Sequence, residues 1–240
     1  MQWKDLAVAP ERTHHLVHNL PAYQQRFEEV LKFHFPGLAP VRDASGAYHI
    51  DPTGQAAYTE RYLRTWGFYE ERASVQTNDG WMHIQVSGDP LSVERYTWCG
   101  NFQEGRCSVR DFNHCYFHLR LDGRPAYKER YRYAGDYRDG YAVIQQDTGL
   151  HSHIDQEGKL LYTRWFLDLD VFHKAYARAR DIGGWHHIDI KGIPIYSQRF
   201  AAVEPFYNGQ ARVESLDGSL QVIDEQGEII VTLRNASSKM

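Results

Sequence analysis

Short runs in which apolar side chains alternate with others recur along this chain, and a period of two marks strands. In Gly140-Tyr-Ala-Val-Ile144, Ala142 and Ile144 fall on one face and Tyr141 and Val143 on the other. Gly105-Arg-Cys-Ser-Val109 and Gly209-Gln-Ala-Arg-Val213 have the same form. One segment points elsewhere. Tyr23, Phe27, Val30 and Leu31 stand at i, i+4, i+7 and i+8, the stripe of an amphipathic helix, among good helix formers. Yet Tyr23–Phe33 shares Tyr, Gln, Arg, Phe, Val and Phe with Tyr196–Phe206, and with one residue inserted Gly37, Ala39 and Val41 match Gly209, Ala211 and Val213. The segment therefore reads as the first copy of a repeat. A helix around Thr13 to Leu20 is an open alternative for the residues before it.

The clearest repeated word is His-Ile-Asp-x-x-Gly, at His49–Gly54, His153–Gly158 and His187–Gly192. Degenerate copies stand at His83–Gly88, His118–Gly123 and Val222–Gly227, and successive copies lie 34 or 35 residues apart. An aromatic strand is expected after each of the first five, as in Tyr58-Thr-Glu-Arg-Tyr62 and Tyr162-Thr-Arg-Trp-Phe166. Asp-x-x-Gly suits a type I turn, with the Asp carboxylate accepting a backbone hydrogen bond and Gly at the fourth position. Each unit thus reads strand, strand, tight turn, strand. A lone three-stranded meander cannot bury its apolar face, whereas stacked copies can.

The prediction is an all-β fold of six tandem three-stranded repeats of about 35 residues. A closed propeller or pinwheel is favoured, because closure removes open sheet edges; an open β-solenoid is the alternative. Residues 20–234 form the repeat domain, 1–19 a short N-terminal extension and 235–240 a flexible tail.

Gly184-Trp-His-His-Ile-Asp189 with Gly192, and Asp79-Gly-Trp-Met-His-Ile84 with Gly88, resemble the bacterial WG-repeat family. Its pattern is a Trp-Gly or Gly-Trp pair, then Ile-Asp-x-x-Gly, then Phe-x-x-Gly-x-Ala-x-Val. The resemblance spans most of the chain, although Trp occupies its column only at Trp81 and Trp185. It implies a repeat scaffold for interaction or ligand binding, in some relatives fused to an enzyme, and it implies no particular chemistry.

Composition narrows the classes. A net charge of −4 argues against bulk nucleic-acid binding. No apolar run is long enough to span a membrane, and the N-terminus lacks an apolar signal core. The three cysteines, Cys99, Cys107 and Cys115, fit a reducing compartment, so a cytoplasmic location is expected. Their spacing is not a usual zinc pattern, and neither a metal nor a cofactor is assigned. There is also no phosphate loop, Rossmann glycine signature or nucleophile elbow.

In a repeat array the recurring residues are structural, so the His column is expected to pack each unit. Function is sought where a column breaks or one face gathers charge. The strand face opposite Ala and Val carries Arg42, Arg72, Arg106, Arg110, Arg178, Arg180, Arg212 and Glu214. Convergent guanidiniums suit a carboxylate or phosphate, which predicts an axial pocket for a small, polar, anionic molecule. Trp66, Trp98 and Tyr207 are candidates for its aromatic wall. Asp168, Asp170, His173 and Glu204 break their columns and are the candidate acid–base groups if the chain is an isomerase, lyase or hydrolase. The three carboxylates could also hold a hard cation. A third reading is a scaffold for a partner protein or enzyme.

Overall fold

The computed structural model describes residues 2–236. Among them are seven antiparallel sheets and, apart from a single 3-10 turn at Trp3–Asp5, no helix. The strands of every sheet follow one another in chain order. Sheet 1 comprises Ala7–Val8, His15–Val17 and Leu20–Pro21; sheet 2, Glu29–Val30, Ala39–Asp43 and Gly46–Ile50; sheet 3, Arg64–Thr65, Arg72–Thr77 and Gly80–Gln85. Sheet 4 comprises Trp98–Cys99, Arg106–Arg110 and Tyr116–Arg120; sheet 5, Tyr133–Ala134, Ala142–Gln145 and His151–Ile154; sheet 6, Asp168–Leu169, Ala177–Asp181 and Gly184–Ile188. Sheet 7 has four strands, Ala202–Val203, Gln210–Glu214, Leu220–Asp224 and Ile229–Arg234. The chain divides into two compact units. One runs to Lys128 and holds sheets 1 to 4; the other starts at Glu129 and holds sheets 5 to 7.

The turns and the two strands before each of them fall where the sequence places them, with two corrections. The aromatic segments expected as the last strand of a unit, such as Tyr58–Tyr62 and Tyr162–Phe166, are loops that make one bridge at their final residue, and the residues just beyond, such as Arg64–Thr65, open the next sheet instead. The repeats predict six units, and the described residues form seven sheets. The additional one lies at the N-terminus, where the residues assigned to an extension or a helix instead make sheet 1. Its His15 stands 34 residues before His49, the spacing of the array, but no Ile-Asp-x-x-Gly follows it. The segment Tyr23–Phe33 is not helical, as its place in the repeat predicts, and carries a strand at Glu29–Val30. Burial of Tyr23, Phe27 and Val30 against neighbouring strands outweighs their helical spacing. The tail assigned to 235–240 lies mostly outside the described residues.

Most repeats are held by one hydrogen-bonded clip. The imidazole Nε2–H donates to a carbonyl at the first strand of the following sheet: His15 to Leu31, His49 to Trp66, His153 to Asp170 and His187 to Glu204, at 2.8–2.9 Å. Because a carbonyl only accepts, the proton is on Nε2, and Nδ1 accepts from a tyrosine hydroxyl (Tyr23, Tyr58, Tyr162, Tyr196). A phenylalanine packs on the ring, with centroids 4.4 Å apart for His49–Phe68, 4.3 Å for His153–Phe172 and 4.2 Å for His187–Phe206. The same tyrosine lies against the turn glycine of the next repeat. A Cβ on Gly54, Gly88, Gly192 or Gly227 would come within 2.6–2.8 Å of Tyr23, Tyr58, Tyr162 or Tyr196. Those glycines also have positive φ, so two constraints fix one residue type.

The turns behave as expected. In Asp51, Asp155, Asp189 and Asp224 one carboxylate oxygen accepts from the amides two and four residues on. Arg26, Arg61, Arg95 and Arg199 curl back onto carbonyls of the one to three preceding residues and lock the loop into each new sheet.

One clip is incomplete. Nine residues after His83 the tyrosine is replaced by Ser92, and His83 Nδ1 is buried without a hydrogen-bond partner. Ser92→Tyr is expected to stabilise the first unit by about 1 kcal/mol, the net worth of a hydrogen bond that satisfies a buried group. Urea unfolding checks this; an unchanged or lower midpoint would show that Leu91, which packs beside Gly123, leaves no room for the ring.

Candidate functional site

Strand register resolves the charged face into three rows. Trp66, Gly100, Gly135, Asp170 and Glu204 each donate their amide to a middle-strand carbonyl, of Ser74, Ser108, Val143, Arg178 and Arg212 respectively. Leu31 and Pro40 make the same pair in sheet 2. Arg178 and Arg212 therefore share a row that holds small or apolar residues in sheets 2 to 5. Arg72 and Arg106 lie two residues before it, at the strand start; Arg42, Arg110, Arg180 and Glu214 lie two residues after it. All share one face, as the alternation predicts, but at three heights.

In the second unit the charged breaks in the pattern come together as ion pairs. Arg178 binds the Asp170 carboxylate through Nε and Nη2, and its Nη1 donates to the Val203 carbonyl of sheet 7 at 3.0 Å. Arg212 pairs with Glu204 one sheet on. Two of the three carboxylates predicted for acid–base work, Asp170 and Glu204, are thus partners of two arginines predicted for anion binding. Arg178 and Arg180 both lie near the Trp185 ring, at 5.9 and 5.8 Å. His173 packs against Tyr207 at 5.1 Å, and its Nε2 is buried without a hydrogen-bond partner. Asp168 accepts from the Leu169 amide. Glu214 meets Arg234 at 3.6 Å.

In the first unit, Arg72 bonds the Leu121 and Glu70 carbonyls and lies 3.7 Å from Glu71. Arg106 donates to the Gly105 carbonyl. Arg110 faces Trp98 across the strand pair, sits 5.7 Å from the Tyr116 ring, and has a buried Nε without a partner.

Trp66 belongs to a feature that sequence reading finds only in part. A groove of ≈ 420 Å³ runs along the first strands of sheets 2 and 3, lined by Arg12, Glu29, Arg42, Arg64 and Trp66 over apolar residues that include Pro40. The volume lies within the range of small-molecule pockets. Trp66 is 46% exposed, so its ring offers a face to the groove. Arg12 pairs with Glu29 at 2.6 Å, and Arg42 lies 3.5 Å from Glu28. All four of these side chains are about half exposed, which leaves such pairs weak. Arg64 has no ion pair among the described residues. Its row elsewhere holds Glu29, Trp98, Tyr133, Asp168 and Ala202, the first strand's opening position in sheets 2 and 4 to 7. That irregularity is the available signal for Arg64. Arg12 lies outside the repeats, and no pattern marks it.

No group of three or more His, Cys, Asp or Glu among the described residues is placed to hold a metal ion. No helix among them is long and apolar enough to cross a membrane.

No family model matches the chain, and no curated protein does. Solved structures do resemble it. One described as a eukaryotic initiation factor aligns at a TM-score of 0.52 and 9% identity, over 95% of this chain and 69% of that one. BamB from Moraxella catarrhalis aligns at 0.47 and 14% identity, over 97% and 86%. The C-terminal WD40 domain of Sif2 aligns at 0.43 and 10% identity, over 84% and 70%. At such identities the likeness is one of fold alone, and the fold is the all-β array of small antiparallel sheets described above.

Proposed function

We propose that this chain is a binding scaffold of the WG-repeat type, and that the groove along sheets 2 and 3 takes a small molecule with a flat apolar body and an anionic end. The observation that carries this reading is Arg64, a guanidinium without an ion pair beside the exposed Trp66, on a mostly apolar floor flanked by Arg12 and Arg42. A guanidinium binds a carboxylate or phosphate in a bidentate manner, and an indole face stacks on a flat group. The acid–base reading draws less support from the geometry, since Asp170 and Glu204 would first have to leave their arginines.

Isothermal titration with indole-3-carboxylate tests the groove, with inorganic phosphate as the probe for charge alone. The aromatic carboxylate is expected to bind more tightly than phosphate. Arg64→Gln and Trp66→Ala should each weaken it by about tenfold, the worth of one charge-assisted hydrogen bond or one stacked ring. Asp170→Asn should leave it unchanged. Binding that ignores both groove variants, or no uptake of either probe, would remove the groove from consideration.

A further inference from the structure

The last strand, Ile229-Ile-Val-Thr-Leu-Arg234, is unlike the others in the chain. It adds a fourth strand to sheet 7, and all six of its residues are exposed. Ile229, Ile230, Val231 and Leu233 are each 45–57% exposed, so apolar side chains stand free on both faces. One edge pairs with Leu220–Asp224; among the described residues nothing pairs with the other. Natural sheets guard such an edge with charge, proline or a covering segment, and between 229 and 233 this one has none of them. Two register irregularities lie in its pairing with the preceding strand, on the covered side.

The sequence of this strand is complementary to itself when reversed. Set antiparallel to a second copy about Val231, Ile229 faces Leu233, Ile230 faces Thr232, and Glu228 faces Arg234. Each of these pairs occurs twice across the two-fold axis, with Val231 opposite its own copy. Opposed apolar pairs and opposite charges are the arrangements that stabilise an antiparallel pair. Shifting the register by one residue on one strand moves every side chain to the wrong partner and separates the charges. Arg234 now lies 3.6 Å from Glu214 and donates to the Gly218 carbonyl, with its side chain 59% exposed, so it has room to reach a partner carboxylate.

We infer that strand 229–234 is an interface for a second copy of this chain, which pairs edge to edge about Val231 and makes sheet 7 continuous across a two-fold axis. A single short strand buries less than a standard protein interface, so the dimer should dissociate on dilution.

Sedimentation velocity of the full chain over a wide concentration range tests this. The wild type is expected to pass from monomer to dimer. Val231→Lys, which opposes two like charges at the axis on an exposed position, should be monomeric throughout while keeping its far-ultraviolet spectrum. Glu228→Arg and Arg234→Glu should each weaken association, and the two together should restore it. Val231→Cys should form a disulfide-linked dimer under mild oxidation that the wild type does not. A wild type monomeric at every concentration would overturn the inference, as would a dimer indifferent to Val231→Lys. Rescue by the double charge exchange would establish this register, since loss of the Glu214–Arg234 pair alone is not repaired by Glu228→Arg.

Discussion

Acidification from neutral pH toward about 4 is expected to unfold this protein well before most of its carboxylates titrate. Burial holds His49, His83, His153 and His187 down to about 4 from an ordinary value of 6.5, while the carbonyl each Nε2–H serves opposes the shift only in part. These rings are neutral in the folded state. On unfolding they regain the ordinary value, so between 6.5 and about 4 the unfolded chain binds protons that the folded chain does not. Stability therefore rises with pH in that window and is fully present above 6.5. Each ring contributes a slope of roughly 1 kcal/mol per pH unit. Each compact unit carries two of the four, for a combined slope of roughly 2–3 kcal/mol per pH unit. Against a typical total of about 5–15 kcal/mol, two pH units remove a large share of the stability. Urea midpoints measured at several pH values check this. A midpoint that stays flat from 6.5 down to about 4 would mean that the clips accept a proton without opening.

Replacing Gly184 with Ala should be among the most damaging single changes outside the apolar core. Gly184 has φ +130, and a Cβ there would lie 2.6 Å from the Phe200 carbonyl oxygen. That oxygen accepts from the Trp185 amide at 2.8 Å, and Phe200 in turn donates to the Trp185 carbonyl at 3.0 Å. The clash thus falls on backbone held from both sides, and it cannot relax by a side-chain rotation. Strain at a disfavoured φ costs about 1–3 kcal/mol, and each lost bridge bond adds about 1. The expected loss is about 3–5 kcal/mol. Gly149 provides the comparison: it has φ +85 but no atom within 4 Å of a Cβ, so Gly149→Ala should cost only the conformational penalty of about 1–2 kcal/mol. Both lie in the second unit, and chemical unfolding of the two variants side by side decides the matter. Equal losses would show that backbone conformation alone, and not the close approach, requires glycine at position 184. Gly46 and Gly80 make the same approach to the Tyr62 and Tyr96 carbonyls, so the Gly of the Gly-Trp pair is explained by packing of one strand on the next segment.

The repeating unit is legible in the amino-acid order without any structure. Alternation marks the middle strands, Asp-x-x-Gly marks the turns, and a period of 34 or 35 residues marks the array. These are local consequences of side-chain period and turn chemistry, which act within a few residues and leave a regular trace. Asp170, Glu204, Arg178 and Arg212 also stand out in the sequence as breaks in their columns. What those breaks do is settled by the packing of strands far apart in the chain. Whether a guanidinium stands free or meets a carboxylate depends on strand register: Arg178 faces Asp170 across a strand pair eight residues apart, while Arg64 faces Gln76 and stays without an ion partner. Sheet 1 is hidden in the sequence because its His15 keeps the spacing but lacks the turn that marks the other copies. The exposed final strand is hidden for a related reason. Ile229–Arg234 reads as one more buried strand by composition, and only its place at the outer edge of sheet 7 leaves both of its faces in solvent.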